Sequence, residues 1–133
     1  MALLVLTGCN QNRVSSALLL GGDVMLYRGG DALFSVNDTE NSPWGDLLVV
    51  NSLEPTDLFA GNLESPFGLS VVADDLENPL MNLCAHDTAL QYLQQAGVNL
   101  ITNTNNHVND CGFAGIQHTS ELLDQVGINH QGD

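Results

Sequence analysis

Three polar clusters in this chain each follow an apolar run. Gly22-Asp23-Val24-Met25 follows Ala17–Gly21, and Gly61-Asn62-Leu63-Glu64 closes the run that begins at Asp57. Asn103-Thr104-Asn105-Asn106-His107-Val108-Asn109-Asp110 follows Val98–Thr102. Carboxylate, carboxamide and imidazole groups are the ligand set for Mn, Fe, Zn or Mg, so a divalent metal is the cofactor these residue types point to. Each residue also has a plainer reading. Asp23 after two glycines suits a turn, Glu64 before Ser65-Pro66 suits an exposed loop, and the asparagine run suits turn chemistry, because asparagine tolerates left-handed backbone. His86, His118 and His130 are read as structural, His86 at a helix start and His118 on the polar side of a helix. A site exists only if the three clusters meet, and the elements around them decide that.

Ala17-Leu18-Leu19-Leu20-Gly21 reads as a buried strand entering a tight turn at Gly21-Gly22, and Asp57–Asn62 as a second strand. Ser42-Pro43 has the form of an N-cap followed by proline at the first helical position, opening a short helix to about Ser52. Residues 65–82 are expected to be mainly irregular. Between Asp87 and Ala96, Ala89, Leu90, Leu93 and Ala96 share one helical face, and Gly97 suits the position just past a helix. Val98–Thr102 follows as a strand. Phe113, Ile116, Leu123 and Val126 recur at helical spacing up to Gly127, and Ile128–Gln131 begins a fourth strand. Strand alternating with helix at this spacing gives an α/β fold, a mostly parallel sheet built from βαβ units. Four strands with at most three helices leave apolar surface uncovered, so residues 17–133 are expected to be the N-terminal half of a larger domain. In such a sheet ligands bind beyond the carboxyl ends of the strands. All three clusters fall there.

The chain of 133 residues carries 16 acidic residues against two arginines, Arg13 and Arg28, and no lysine, for a net charge of −14. Two arginines cannot neutralise a phosphate track, so a nucleic-acid partner is excluded, as is charge-driven adhesion to anionic lipid. With 44% hydrophobic residues the chain is no disordered acidic tail. The N-terminal Leu6-Thr7-Gly8-Cys9 fits a bacterial lipoprotein cleavage pattern, with Ala2–Leu6 as the end of a shortened apolar signal segment. Residues 1–16 are accordingly read as a truncated lipoprotein signal and polar tether, with Cys9 as the lipidation site. The membrane is then touched only through that anchor. The expected location is the bacterial cell envelope, outside the cytoplasm, lipid-anchored or secreted.

Disulfides are permitted there. Cys84 precedes a helix that starts at the carboxyl edge and Cys111 follows a strand that ends there, so a Cys84–Cys111 disulfide is geometrically feasible. The closed loop would stabilise the fold by ~3 kcal/mol in the chain-entropy treatment.

Taken together, Gly22-Asp23-Val24-Met25, Gly61-Asn62-Leu63-Glu64-Ser65-Pro66 and Asn105-Asn106-His107-Val108-Asn109-Asp110-Cys111-Gly112 resemble the bacterial capsule-synthesis protein CapA family. That family is associated with poly-γ-glutamate synthesis and belongs to the calcineurin-like metallophosphoesterase superfamily. The likeness runs from about Ala17 to Asp133. It implies the N-terminal half of an αββα sandwich with a metal site between strand ends. Asp23 and Glu64 are the implied carboxylate ligands, with Asn106 and the more weakly matched Asn62, and His107 is the implied catalytic group that protonates a leaving oxygen. Met25 stands where the superfamily's first motif has a histidine, and Asn62 where its second has an aspartate. Further histidine ligands come from a C-terminal half, so this chain alone is expected to be inactive. Two functions follow: a metal-dependent hydrolase acting on a phosphoester, or a non-hydrolytic lipoprotein that holds or exports an anionic polymer through bound metal. Both would work with the capsule-synthesis machinery.

Overall fold

The computed structural model of the chain describes residues 2–4, 16–28, 31–32, 54–55, 57–68 and 82–132. The helix expected near residues 43–52, and Cys9, lie outside the described residues. A five-stranded sheet carries the fold, in the order β1 (Ala2–Leu4), β2 (Leu18–Val24), β5 (Leu58–Leu63), β8 (Leu100–Thr102), β9 (Asn129–Gln131), while β3 (Tyr27–Arg28) and β4 (Asp31–Ala32) pair antiparallel apart from it. The last four strands are mutually parallel, and β1 pairs antiparallel with β2 as Leu3 opposite Leu19. The chain is therefore α/β with a mostly parallel sheet, as its strand–helix alternation implies. Ala2–Leu4, expected as the end of a signal segment, occupies the sheet's edge here. An apolar triplet satisfies either role equally, because periodicity says nothing over so short a run.

Two helices return the chain between parallel strands. A 3-10 turn, Asp87–Ala89, leads into α1 (Leu90–Gln95), and α2 (Gly112–Gln125) joins β8 to β9. His86 starts the first of these by accepting a hydrogen bond from Thr88 N at Nδ1, 3.2 Å, the helix-start role expected of it. Gly97 and Gly127 follow the helices at φ +70° and +73°, the left-handed conformation that glycine adopts without steric cost.

The core lies on one face of the sheet. Leu19, Phe59, Leu63 and Ile101 meet Leu90, Tyr92 and Leu93 from α1, Ala96 at its C-cap and Leu123 from α2. The buried stripe of α2 differs from its apolar period: Gly115, Thr119 and Leu123 face inward, whereas Phe113 is 84% exposed. The cause is the short strand β6 (Phe67–Gly68), which lies within residues 65–82, expected to be mainly irregular, and pairs in parallel with β7 (Ala85–His86) beyond them. Phe67 N donates to Thr119 Oγ1 at 2.8 Å, and the same hydroxyl donates to Gly115 O at 2.7 Å. A threonine with both hydrogen-bonding roles met costs little to bury, so a polar residue holds an interior position that hydrophobic spacing alone would assign to solvent.

Candidate functional site

The first strand does not stop at its glycines. β2 runs through Gly21-Gly22 to Val24, and its register against β5 shifts between Leu20 and Asp23: Leu20 stands opposite Ala60, yet Asp23 stands opposite Asn62. The extra residue is a bulge, with Gly22 at φ +73°. Bulges bend a strand and re-aim the next side chain, and this one sets Asp23 beside Asn62. Since Asn62 also pairs with Thr102 of β8, one row of polar side chains crosses three strands at their carboxyl ends. Alternation along each strand turns this row away from the core face occupied by Leu63 and Ile101.

Within the row the bonds run in one direction. Asn62 Nδ2 donates to Asp23 Oδ1 at 2.8 Å and to Glu64 Oε1 at 2.7 Å. The assignment of its amide follows from Asn105, whose Nδ2 donates to Leu63 O at 2.8 Å and whose Oδ1 accepts from His107 N at 2.9 Å. Asn105 Nδ2 therefore also donates to Asn62 Oδ1 (3.0 Å), leaving only the NH2 of Asn62 for the two carboxylates. Two acidic side chains from different strands thus converge on a single nitrogen. Buried Ser65 steadies their loops by accepting from Leu26 N at 2.9 Å and Tyr27 N at 3.3 Å, which ties the turn after Asp23 to the one after Glu64.

His107 closes the site from the β8–α2 loop. Its Nδ1 is 2.9 Å from Asp110 Oδ2, and its Nε2 is 3.8 Å from Glu64 Oε2. An ionised carboxylate only accepts, so Nδ1 carries the proton toward Asp110 and Nε2 is the nitrogen turned to the site. Asp110 Oδ2 also accepts from Leu83 N at 2.7 Å. The Cys84–Cys111 disulfide lies beside it, with Cα atoms 5.0 Å apart.

Asp23, Asn62, Glu64 and His107 are therefore neighbours. Asn106 is exposed and makes no side-chain hydrogen bond among the described residues. Met25, in the histidine position, is 37% exposed. Asn105 and Asp110 complete the network without having been given a role from sequence. The available signal was the spacing of Asn105 to His107, two residues, the separation at which an asparagine side chain bonds its own backbone. His118 and His130 lie outside the network, paired with Asp87 at 2.9 Å and Asp124 at 3.2 Å.

Asp23 and Glu64 offer hard oxygen donors close enough to share one bridging group, which fits a cation such as Mg or Mn better than a thiophilic one. Surplus negative charge, 16 acidic residues to two basic ones, favours cations over anions as ligands for this chain. Among the described residues no cluster of three or more His, Cys, Asp or Glu side chains is disposed to hold a metal. What the described residues offer a cation at this edge is two carboxylates, Asp23 and Glu64.

A mostly parallel α/β sheet with acidic and amide side chains gathered at its carboxyl edge is consistent with a metallophosphoesterase-like fold. The family model for bacterial capsule synthesis protein PGA_cap matches residues 17–133, and the chain belongs to that family. Its place is thus in capsule synthesis, an envelope-associated process. Comparison with curated proteins finds no match. No helix among the described residues is long and apolar enough to cross a membrane.

Proposed function

We propose that this capsule synthesis protein binds a divalent cation at the carboxyl edge of β2, β5 and β8 and uses it on a phosphoester. The convergence of Asp23 and Glu64 on one atom is the observation that carries this reading. Those two carboxylates would hold the ion, with Asn106 as a further ligand from the exposed loop. Such an ion supplies Lewis acidity and lowers the pKa of bound water. The chain's own part is positional. Asp110 keeps Nδ1 of His107 occupied, so proton exchange with a leaving oxygen is confined to Nε2, the nitrogen beside Glu64. Asn62 holds both carboxylates in place through its NH2, where a bound cation would otherwise sit between them. Calorimetric titration of Mn2+ into the full chain should show saturable binding that Asp23→Ala and Glu64→Ala each weaken at least tenfold, about 1.4 kcal/mol. Equal heats for all three proteins would overturn the site.

The chain's acidic surplus bears on a second reading, a non-hydrolytic protein that holds an anionic polymer of the poly-γ-glutamate kind through bound metal. A −14 chain repels such a polymer unless cations bridge them, so binding of poly-γ-glutamate that needs Mn2+ and is lost in a chelator selects this role, and binding that ignores Mn2+ or fails with it rejects the role. Either protein would act at the cell surface, anchored through Cys9. Lipidation there removes Ala2–Leu4, so mass spectrometry of the mature N-terminus should find a lipidated Cys9 and no β1. An unmodified chain beginning at Met1 would reject the anchor.

A further inference from the structure

We propose that the Cys84–Cys111 disulfide is a latch that sets the orientation of the His107 ring, with Asp110 and Asn82 as positioning residues. This rests on the reading of His107 as the proton-handling group of the site. The segment 82–84 lies across residues 110–111 and is bonded to them three ways: Leu83 N donates to Asp110 Oδ2 at 2.7 Å, Asn82 Nδ2 donates to Asp110 O at 2.8 Å, and the disulfide joins the adjacent residues. Cys84 N in turn donates to Asn82 Oδ1 at 2.8 Å, so the Asn82 amide is held at both ends. The oxygen that Leu83 fixes is the same one that meets His107 Nδ1. Placement of that oxygen decides which ring nitrogen carries the proton, and hence which nitrogen is free to serve the site.

The latch has little room to slip while the disulfide is closed. A Cβ added to Gly68 of β6 would lie 2.7 Å from Cys84 Sγ and 3.2 Å from Cys111 Sγ, so β6 packs directly on the sulfurs. Cys111 is also the residue from which α2 starts. Asp110 and His107 have side chains 18% and 19% exposed, so water can compete for both once the strap lifts. Opening needs a dithiol: one thiolate attacks a sulfur to give a mixed disulfide. The second thiol then displaces the remaining cysteine, leaving two thiols on the protein and a closed disulfide on the reagent.

The test is 15N NMR of the His107 ring in the full, metal-free chain at one fixed neutral pH. With the disulfide closed, the Nδ1–H tautomer should dominate. After reduction with dithiothreitol, or in Cys84→Ser/Cys111→Ser, the ring should become a mixture of both tautomers, and Leu83 amide exchange should quicken by about tenfold or more. Asn82→Ala and Asp110→Ala keep the disulfide and should shift the ring in the same direction, so the test survives if the cysteine variant fails to fold. An unchanged tautomer in the reduced folded protein, or in both of these variants, overturns the latch. Mn2+ titration of the same samples separates the two readings: a disulfide-dependent tautomer without Mn2+ binding rejects only the metal site, and the reverse rejects only the latch.

Discussion

At the start of β5, the Asp57 carboxylate accepts from Ala17 N at 2.6 Å and Glu54 N at 2.8 Å, and the residue is buried. At the far end of the same strand, Glu64 and its neighbour Asp23 accept from a side-chain amide, that of Asn62. Both arrangements hold β2 against β5, but they differ in what can be exchanged. Backbone N–H groups are fixed by the fold, so Asp57 has no partner to give up without breaking structure. An asparagine amide moves by rotating its own side chain, so under the proposed function Asp23 and Glu64 would trade their donor for a cation. The partner of a carboxylate, more than its burial, separates a structural acid from one available for chemistry.

The sharpest way to break this contrast is to remove the acids in turn. Glu64→Ala should lose at least tenfold in Mn2+ affinity, about 1.4 kcal/mol, while its melting temperature in a chelator stays close to that of the parent chain. Asp57→Ala should do the reverse, melting several degrees lower with Mn2+ affinity unchanged. If Asp57→Ala weakens Mn2+ binding as much as Glu64→Ala does, the two ends of the strand are not distinct.

Legibility in the sequence divides along a similar line. Helices, their glycine stops and the parallel strands follow from short-range periodicity, so Gly97, Gly127 and the run Leu58–Leu63 lie close to where spacing put them. The meeting of Asp23, Glu64 and His107 follows from one topological rule about strand ends. Features set by register were not legible. The bulge at Gly21-Gly22 reads as a turn from sequence alone, because glycine pairs serve both. The β6–β7 pairing joins residues 67–68 to 85–86 through only two positions each, too few to leave a pattern. Asp110 was visible as a polar neighbour of His107, yet its role depends on Leu83 N, a backbone group brought in by a distant segment.

A smaller effect tests whether the amide stands in for a cation. Asn62→Ala removes the donor shared by Asp23 and Glu64 and leaves the two carboxylates facing each other. In a chelator this variant should be less stable by about 1 kcal/mol, the usual worth of a lost hydrogen bond. Saturating Mn2+ should return that loss and more, because a ligand bound only by the folded chain stabilises by mass action. Thermal melts with and without Mn2+ measure it. An equal deficit in both conditions would mean that the amide supports the loops and does not occupy a cation's place.

The smallest effect lies at the other end of β5 and depends on pH. The backbone N–H groups of Ala17 and Glu54 hold the Asp57 carboxyl below its ordinary value of 3.8, and burial only partly opposes them. A carboxyl whose pKa is lower in the folded than in the unfolded chain binds its proton more readily when unfolded. Its contribution is therefore complete above 3.8 and is lost as pH falls through the depressed folded value. Asp57→Asn keeps one acceptor oxygen for the two donors and cannot ionise. The melting difference between parent and variant should be constant near neutrality and shrink only in acid, below the ordinary carboxyl value. A melting difference that stays unchanged through the acidic range would mean that the Ala17 and Glu54 N–H groups do not favour the ionised Asp57 carboxyl over the neutral one.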